Sequence, residues 1–263
     1  MARSDAPRLD VPIVHRDEHL LVLDKPVGIA TTSPDGGPSL FTLARALDPD
    51  APALHPLSRL DTQVSGLVTF ARTTWANQCA LEARRAGTLR RAYLGLTGQA
   101  LPADHGVWKF PIAIDPRDPK HRRALPEGSE LADAPAGSKH AHSEYRVFAT
   151  AGPLLALDLW PVTGRTHQLR VHASAAGAPL AGDVAYGGAR RITLPNGRIL
   201  SAGRVMLHCA AFCMPHPDRA RAVLTLSLAP PADMLTLWRA AGGDPSALSL
   251  SLSDLTSVPA AGT

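Results

Sequence analysis

Apolar and polar positions in this chain fall into short blocks that change period repeatedly. Val11–His15 and Leu20–Asp24 read as two strands joined by the polar turn Arg16–His19. Lys25-Pro26 ends the second strand, because proline has no N–H for a ladder. Thr31–Ser39 reads as loop, and Ser39 can cap a helix that puts Leu40, Leu43, Ala44 and Leu47 on one face. Further on come a polar knot at Ser58–Gly66, an apolar strand (LVTFA), and a helix capped by Thr73 or Thr74. That helix runs to about Arg85 and stops at Gly87. Leu89–Thr97 alternates as a strand, with Ala92, Leu94 and Leu96 on one face and Tyr93 and Thr97 on the other.

The second half continues in the same style. Residues 98–140 are rich in Pro, Gly and charge, which predicts short strands between exposed loops. SEYRVFA and LLALDLWPV form a hairpin around residues 150–153. Gly164–Gly177 reads as a helix, Pro179–Gly188 as a Gly-rich loop, Val205–Met214 and Ala222–Leu228 as strands. A last helix at Ala232–Ala241 turns Met234, Leu237, Trp238 and Ala241 inward. Many strands and few helices without regular βαβ alternation give an α+β class. The expected organisation is an arm over residues 1–10, one domain over 11–243 and a mobile tail over 244–263, in which LSLSLS alternates like an edge strand.

Composition narrows the options. The chain has 263 residues, 45% hydrophobic and 19% charged, enough apolar content for a packed core. Its net charge of +4 is compatible with phosphate-bearing partners without requiring them. Three cysteines (Cys79, Cys209, Cys213) form no disulfide framework and suit a reducing compartment. No N-terminal apolar run reads as a signal peptide, and no uninterrupted apolar stretch of about 18 residues reads as a membrane span. A cytoplasmic protein is expected. There is no P-loop or dinucleotide fingerprint, so no cofactor is expected.

Two segments carry charge where a plain core would not. In SRLDTQVSG, Arg59 and Asp61 point the same way if the backbone is extended; a surface ion pair is the ordinary reading of such spacing. In TGRTHQLRVH, a helix would put Arg170 on the side of Thr166 and His167, with Leu169, His172, Ala173 and Ala176 packed. Such a face suits a carboxylate or phosphate, or simply solvent.

Five segments in order resemble the RluA-type pseudouridine synthase family. They are LLVLDKPVGIATT (20–32), HPLSRLDTQVSGLVTFART (55–73), RRAYLGLTG (90–98), PVTGRTHQLRVHASAAGAPLAGDVAYGG (161–188) and MLHCAAFCMPHP (206–217). The resemblance implies a mixed, mostly antiparallel sheet flanked by helices around a central cleft, and conversion of uridine to pseudouridine in structured RNA, ribosomal or transfer. It implies Asp61 as the catalytic carboxylate, Tyr93 against the target base, Arg170 paired with Asp61, and Arg59 near the space the base vacates. Arg165 and His167, in the same motif as Arg170, are expected to touch substrate. The reaction breaks C1′–N1 and joins C1′ to C5 with no redox step, consistent with the missing cofactor motifs. Asp61 can attack C1′ or remove a ribose proton, and both roles stay open.

The chain departs from the family pattern at Ser58, where His is usual, and Val64, where Thr is usual; Arg91 replaces the usual Lys before the Tyr. Only about ten residues precede the first strand, too few for the small RNA-binding domain of some relatives, and a monomer is expected. His208, Cys209, Cys213 and His216 suggest a metal site only on paper, since a strand points His208 opposite to both thiols. Asp183 is expected to shape the Gly-rich turn. Arg84, Arg85, Arg90, Arg91 and the run Lys120–Arg123 are expected to meet phosphates. Two other functions remain: a non-catalytic RNA-binding protein on the same fold, and a glycosidic hydrolase, which normally uses two carboxylates.

Overall fold

The computed structural model describes residues 10–218 and 222–248. Most of the expected arm, and the LSLSLS alternation from residue 249 on, lie outside the described residues. The chain divides into two compact units, residues 1–79 and 80–263.

In the first unit, β1 (Ile13–Arg16) pairs antiparallel with β2 (Leu20–Lys25). Helix α1 (Leu40–Leu47) and the two-residue β3 (His55–Pro56) precede β4 (Ser65–Ala71), on which both β2 and β3 pair antiparallel. Every residue of β4 is buried, as its unbroken apolar run requires. Ser39 caps α1 as expected: it accepts from the Thr42 N–H while the Thr42 hydroxyl accepts from the Ser39 N–H. Leu40 and Ala44 are buried, but Leu47 at the end of the expected stripe is exposed. Asp48, just past α1, is fully buried. Its carboxylate accepts from Arg16 at 2.7 Å and from Arg72, so one acid ties β1, the end of α1 and the end of β4 together. Helix α2 (Thr74–Arg85) crosses the boundary; the Thr73 hydroxyl caps it, and Gly87 in the left-handed region ends it.

The second unit is built on β5 (Arg90–Thr97), β6 (His105–Trp108), β7 (Ile112–Ile114), β8 (Arg122–Ala124), β9 (Ser143–Ala151) and β10 (Leu154–Pro161). Helix α3 (Gln168–Ala175), β11 (Arg191–Thr193), β12 (Ile199–Ser201), β13 (Leu207–Pro215), β14 (Val223–Ser227) and α4 (Ala232–Ala240) follow. Its strands run β13-β5-β10-β9-β6, with β14 on β13, each pairing antiparallel. Two hairpins, β7–β8 and β11–β12, stand apart from this sheet.

The main core lies between α4 and the sheet: Met234, Leu237, Trp238 and Ala241 meet Leu94, Leu96, Leu154 and Ala156. That is the inward face expected for the last helix. Leu248 joins the same core from a single 3₁₀ turn at Pro245–Leu248, so the packed chain continues past Gly243 into the segment expected to be a mobile tail. The architecture is α+β with a mostly antiparallel sheet, as expected. None of its described helices is long and apolar enough to cross a membrane.

Candidate active site

The polar knot of the first unit is held by its backbone. The Leu57 N–H donates to the Thr69 carbonyl at 2.8 Å, and the Val64 N–H to the Asp61 carbonyl at 3.0 Å, which closes a tight turn after Asp61. Leu60 is buried, Arg59 is exposed and Asp61 is half-buried, the alternation of an extended segment anchored by its middle residue. The departure residues look inward. The Ser58 hydroxyl faces the Thr69 N–H at 3.5 Å, and Val64 packs in the core.

In the second unit Tyr93 sits in β5, nearly buried, opposite Cys209 of β13. Its hydroxyl accepts from the Arg91 guanidinium at 3.3 Å and lies beside the Cys209 thiol. Burial pushes the Cys209 thiol up to about 11, so this sulfur stays protonated and acts as an apolar filler. Arg91 also reaches toward Gly164, where an added Cβ would lie 3.5 Å from its Nη2. Arg91 thus lies beside both Tyr93 and the start of the TGRTHQLR segment.

That segment corrects one expectation. The helix begins at Gln168, not Gly164, because the Gln168 side chain takes the place of a first turn. Its Oε1 accepts from the Arg165 N–H at 2.9 Å and the Thr163 hydroxyl at 2.7 Å. Its Nε2 donates to the His142 carbonyl and the Ser143 hydroxyl. His167 then caps the helix in the left-handed region (φ 57°), the one described non-glycine residue there. Arg170 therefore does not share a helix face with Thr166 and His167. The helix also has no single packed side: Gln168, Leu169, Arg170, Val171, His172 and Ala173 are all buried.

Arg170 and His167 meet instead through Tyr186. The Arg170 guanidinium lies 4.8 Å over the Tyr186 ring, and the Tyr186 hydroxyl sits 2.7 Å from His167 Nδ1. The Arg122 N–H of β8 donates to the same hydroxyl at 3.0 Å. Arg170 is 5% exposed and Asp183 1%, and the two share a bidentate pair: Nε to Oδ2 at 2.8 Å and Nη2 to Oδ1 at 2.7 Å. Asp183 thus shapes the turn with its backbone, as expected, and holds Arg170 with its side chain, which spacing did not reveal. The Arg165 side chain is exposed, with Nε donating to the His140 carbonyl. Tyr186 and Thr31 were missed as candidates; their only signal was membership of the GDVAYGG and DKPVGIATT segments. Cys209 and Cys213 are buried in β13, and His208, on the other face from Cys209, is held near pKa 4 chiefly by burial.

The sequence matches the RNA pseudouridylate synthase family over residues 19–175. It is 34% identical to ribosomal large subunit pseudouridine synthase D of Nitrosomonas europaea, over 89% of this chain and 66% of that protein. It is 29% identical to the dual-specificity RNA pseudouridine synthase RluA of Yersinia pestis, over 78% of this chain and 93% of that protein. Among solved structures, human RNA pseudouridylate synthase domain containing 4 matches with a TM-score of 0.64 over 86% of this chain and 92% of that one, at 23% identity, a likeness of fold. The chain therefore belongs to the RNA pseudouridylate synthase family and is an RluA-type member of it.

Proposed function

We propose that this enzyme isomerises a uridine held in structured ribosomal or transfer RNA, with Asp61 as its essential carboxylate and Tyr93 and Arg170 acting on the same nucleotide. The observation that carries the reading is the family match, which spans all three positions in one continuous segment. Two observations support it. Asp61 is half-buried on a backbone pinned at both ends, so its carboxylate is held in place yet open to substrate. The guanidinium of Arg170 is fixed by Asp183 and Tyr186 and has little freedom to lose when substrate binds.

The reaction needs the target base out of its stack, at a cost of a few kcal/mol, roughly, which contacts to the RNA must offset. Exposed Arg59 and Arg165, with half-buried His167, are the groups assigned to that task. The C1′–N1 bond breaks, the uracil turns, C1′ joins C5, the proton leaves C5 and N1 takes one up; atoms balance with no external reagent. The enzyme is proposed to act in the cytoplasm as a monomer. The names of the relatives favour ribosomal RNA without excluding transfer RNA.

The test is to map pseudouridines in ribosomal and transfer RNA from cells with and without the gene, then to restore the missing site with purified protein. Loss and restoration of a defined site are expected, and Asp61→Asn protein should not restore it. An Asp61→Asn protein that restores the site at the wild-type rate would refute the assignment.

A further inference from the structure

The geometry points to Thr31 as the residue that aims Asp61, a positioning role resting on the reading of Asp61 as the catalytic carboxylate. Thr31 is 2% exposed and 30 positions from Asp61 in the sequence. Its hydroxyl makes two bonds to the backbone of Leu60: it donates to the carbonyl at 3.0 Å and accepts from the N–H at 2.9 Å. A hydroxyl carries one donor and two acceptor positions, so a single group satisfies both main-chain atoms of the residue directly before Asp61. On the other side of Asp61, the Gly28 N–H donates to the Thr62 carbonyl at 2.8 Å. Gly28 has φ 89°, a backbone that L side chains rarely adopt, so this bond depends on glycine. Asp61 therefore lies between two residues whose backbones are both bonded to one loop.

That loop is itself fixed. The Leu40 and Phe41 N–H groups at the start of α1 donate to the Ala30 and Thr31 carbonyls at 2.9 and 3.0 Å. The buried Lys25 ammonium donates to the Pro26 and Ile29 carbonyls at 2.9 and 2.8 Å, drawing the first half of the loop over the end of β2. Position is thus handed from a capped helix and a core strand, through Thr31 and Gly28, to the two peptide groups flanking Asp61. A reacting group displaced by about 1 Å can lose on the order of 100-fold in rate.

The experiment compares wild type, Thr31→Val, Thr31→Ser and Asp61→Asn under single-turnover conditions on the mapped RNA site, with RNA affinity measured separately. Thr31→Val keeps the shape and removes both bonds. Its single-turnover rate should fall roughly 10- to 100-fold while its RNA affinity stays within about twofold of wild type. Thr31→Ser, which keeps the hydroxyl, should recover most of the rate. If Thr31→Val does not fold, Thr31→Ala, which admits water to the Leu60 amide, is measured in its place with the same expectation. A folded Thr31→Val or Thr31→Ala protein turning over at the wild-type rate overturns the proposal, as does a Thr31→Ser protein no better than Thr31→Val. An active Asp61→Asn protein defeats the reading of Asp61 itself. An inactive Asp61→Asn beside a fully active Thr31→Val defeats the role of Thr31 alone.

Discussion

Replacing Asp183 by Leu removes the carboxylate that holds two N–H groups of Arg170 and leaves that guanidinium inside the protein. Breaking one half of a buried ion pair costs about 3–5 kcal/mol, because the remaining charge stays desolvated. Here the face of Tyr186, 4.8 Å away, and the other interactions of Arg170 partly compensate the guanidinium, which favours the lower end, about 3 kcal/mol. At roughly 2–4 °C per kcal/mol for a chain of this size, the melting temperature should drop by about 6–12 °C. Arg170→Met alone strands the Asp183 carboxylate, which has no ring above it, and should cost at least as much. The double variant Asp183→Leu, Arg170→Met fills the same space with apolar atoms and keeps a sulfur against the Tyr186 ring. It should recover most of the lost stability. Urea denaturation of the four proteins closes the cycle, with a coupling of at least about 2 kcal/mol expected. The turn is not at issue, since Asp183 makes it with backbone groups, to Leu180 and from Gly188, that survive the change. Additive single effects, or an Asp183→Leu cost under about 1 kcal/mol, would show that the pair is not the buried unit described.

Three further outcomes are expected. Burial holds the His172 imidazole near pKa 4 and that of His208 near 4, against about 6.5 in an unfolded chain. Unfolded protein takes up these protons first, so stability present above pH 6.5 should be lost as pH falls toward 4, by up to about 3 kcal/mol per histidine. His172→Gln should flatten the pH dependence of urea midpoints in that window, and an unchanged slope would contradict the assignment. At Gly182 (φ 77°) an added Cβ would lie 1.8 Å from the Arg204 carbonyl oxygen, whereas at Gly197 (φ 80°) it meets nothing within 4 Å. Gly182→Ala should cost about 2–4 kcal/mol against about 1 for Gly197→Ala, and equal melting temperatures would refute the crowding argument. Replacing exposed Lys120 and Arg123 together by Ala should lower the slope of log affinity for RNA against log salt by roughly one to two, with similar losses on unrelated sequences. An unchanged slope would remove those residues from the RNA surface.

Regular elements were legible wherever local chemistry decides them. Ser39 caps α1, Gly87 ends α2, the 150–153 turn joins β9 to β10, and α4 turns its four apolar residues inward. The β11–β12 hairpin was passed over although Asn196-Gly197 marks its turn. The start of α3 was misjudged for a different reason. Gln168 satisfies the Thr163 hydroxyl and the Arg165 amide with its side chain, and a helical period does not reveal that a side chain replaces the backbone bonds of a first turn.

The sequence by itself determined the class of fold and the family, and it singled out Asp61, Tyr93 and Arg170 as the proposed site residues, because these rest on residue types at fixed spacing along the chain. Only the tertiary structure decided what holds them. Thr31 reaches Leu60 across 29 positions, Asp183 and Tyr186 seize Arg170 from a Gly-rich turn, and Arg122 closes on Tyr186 from 64 positions away. Each of these bonds joins groups distant in sequence, and a buried polar atom must find its partner in space, so no local pattern could announce them.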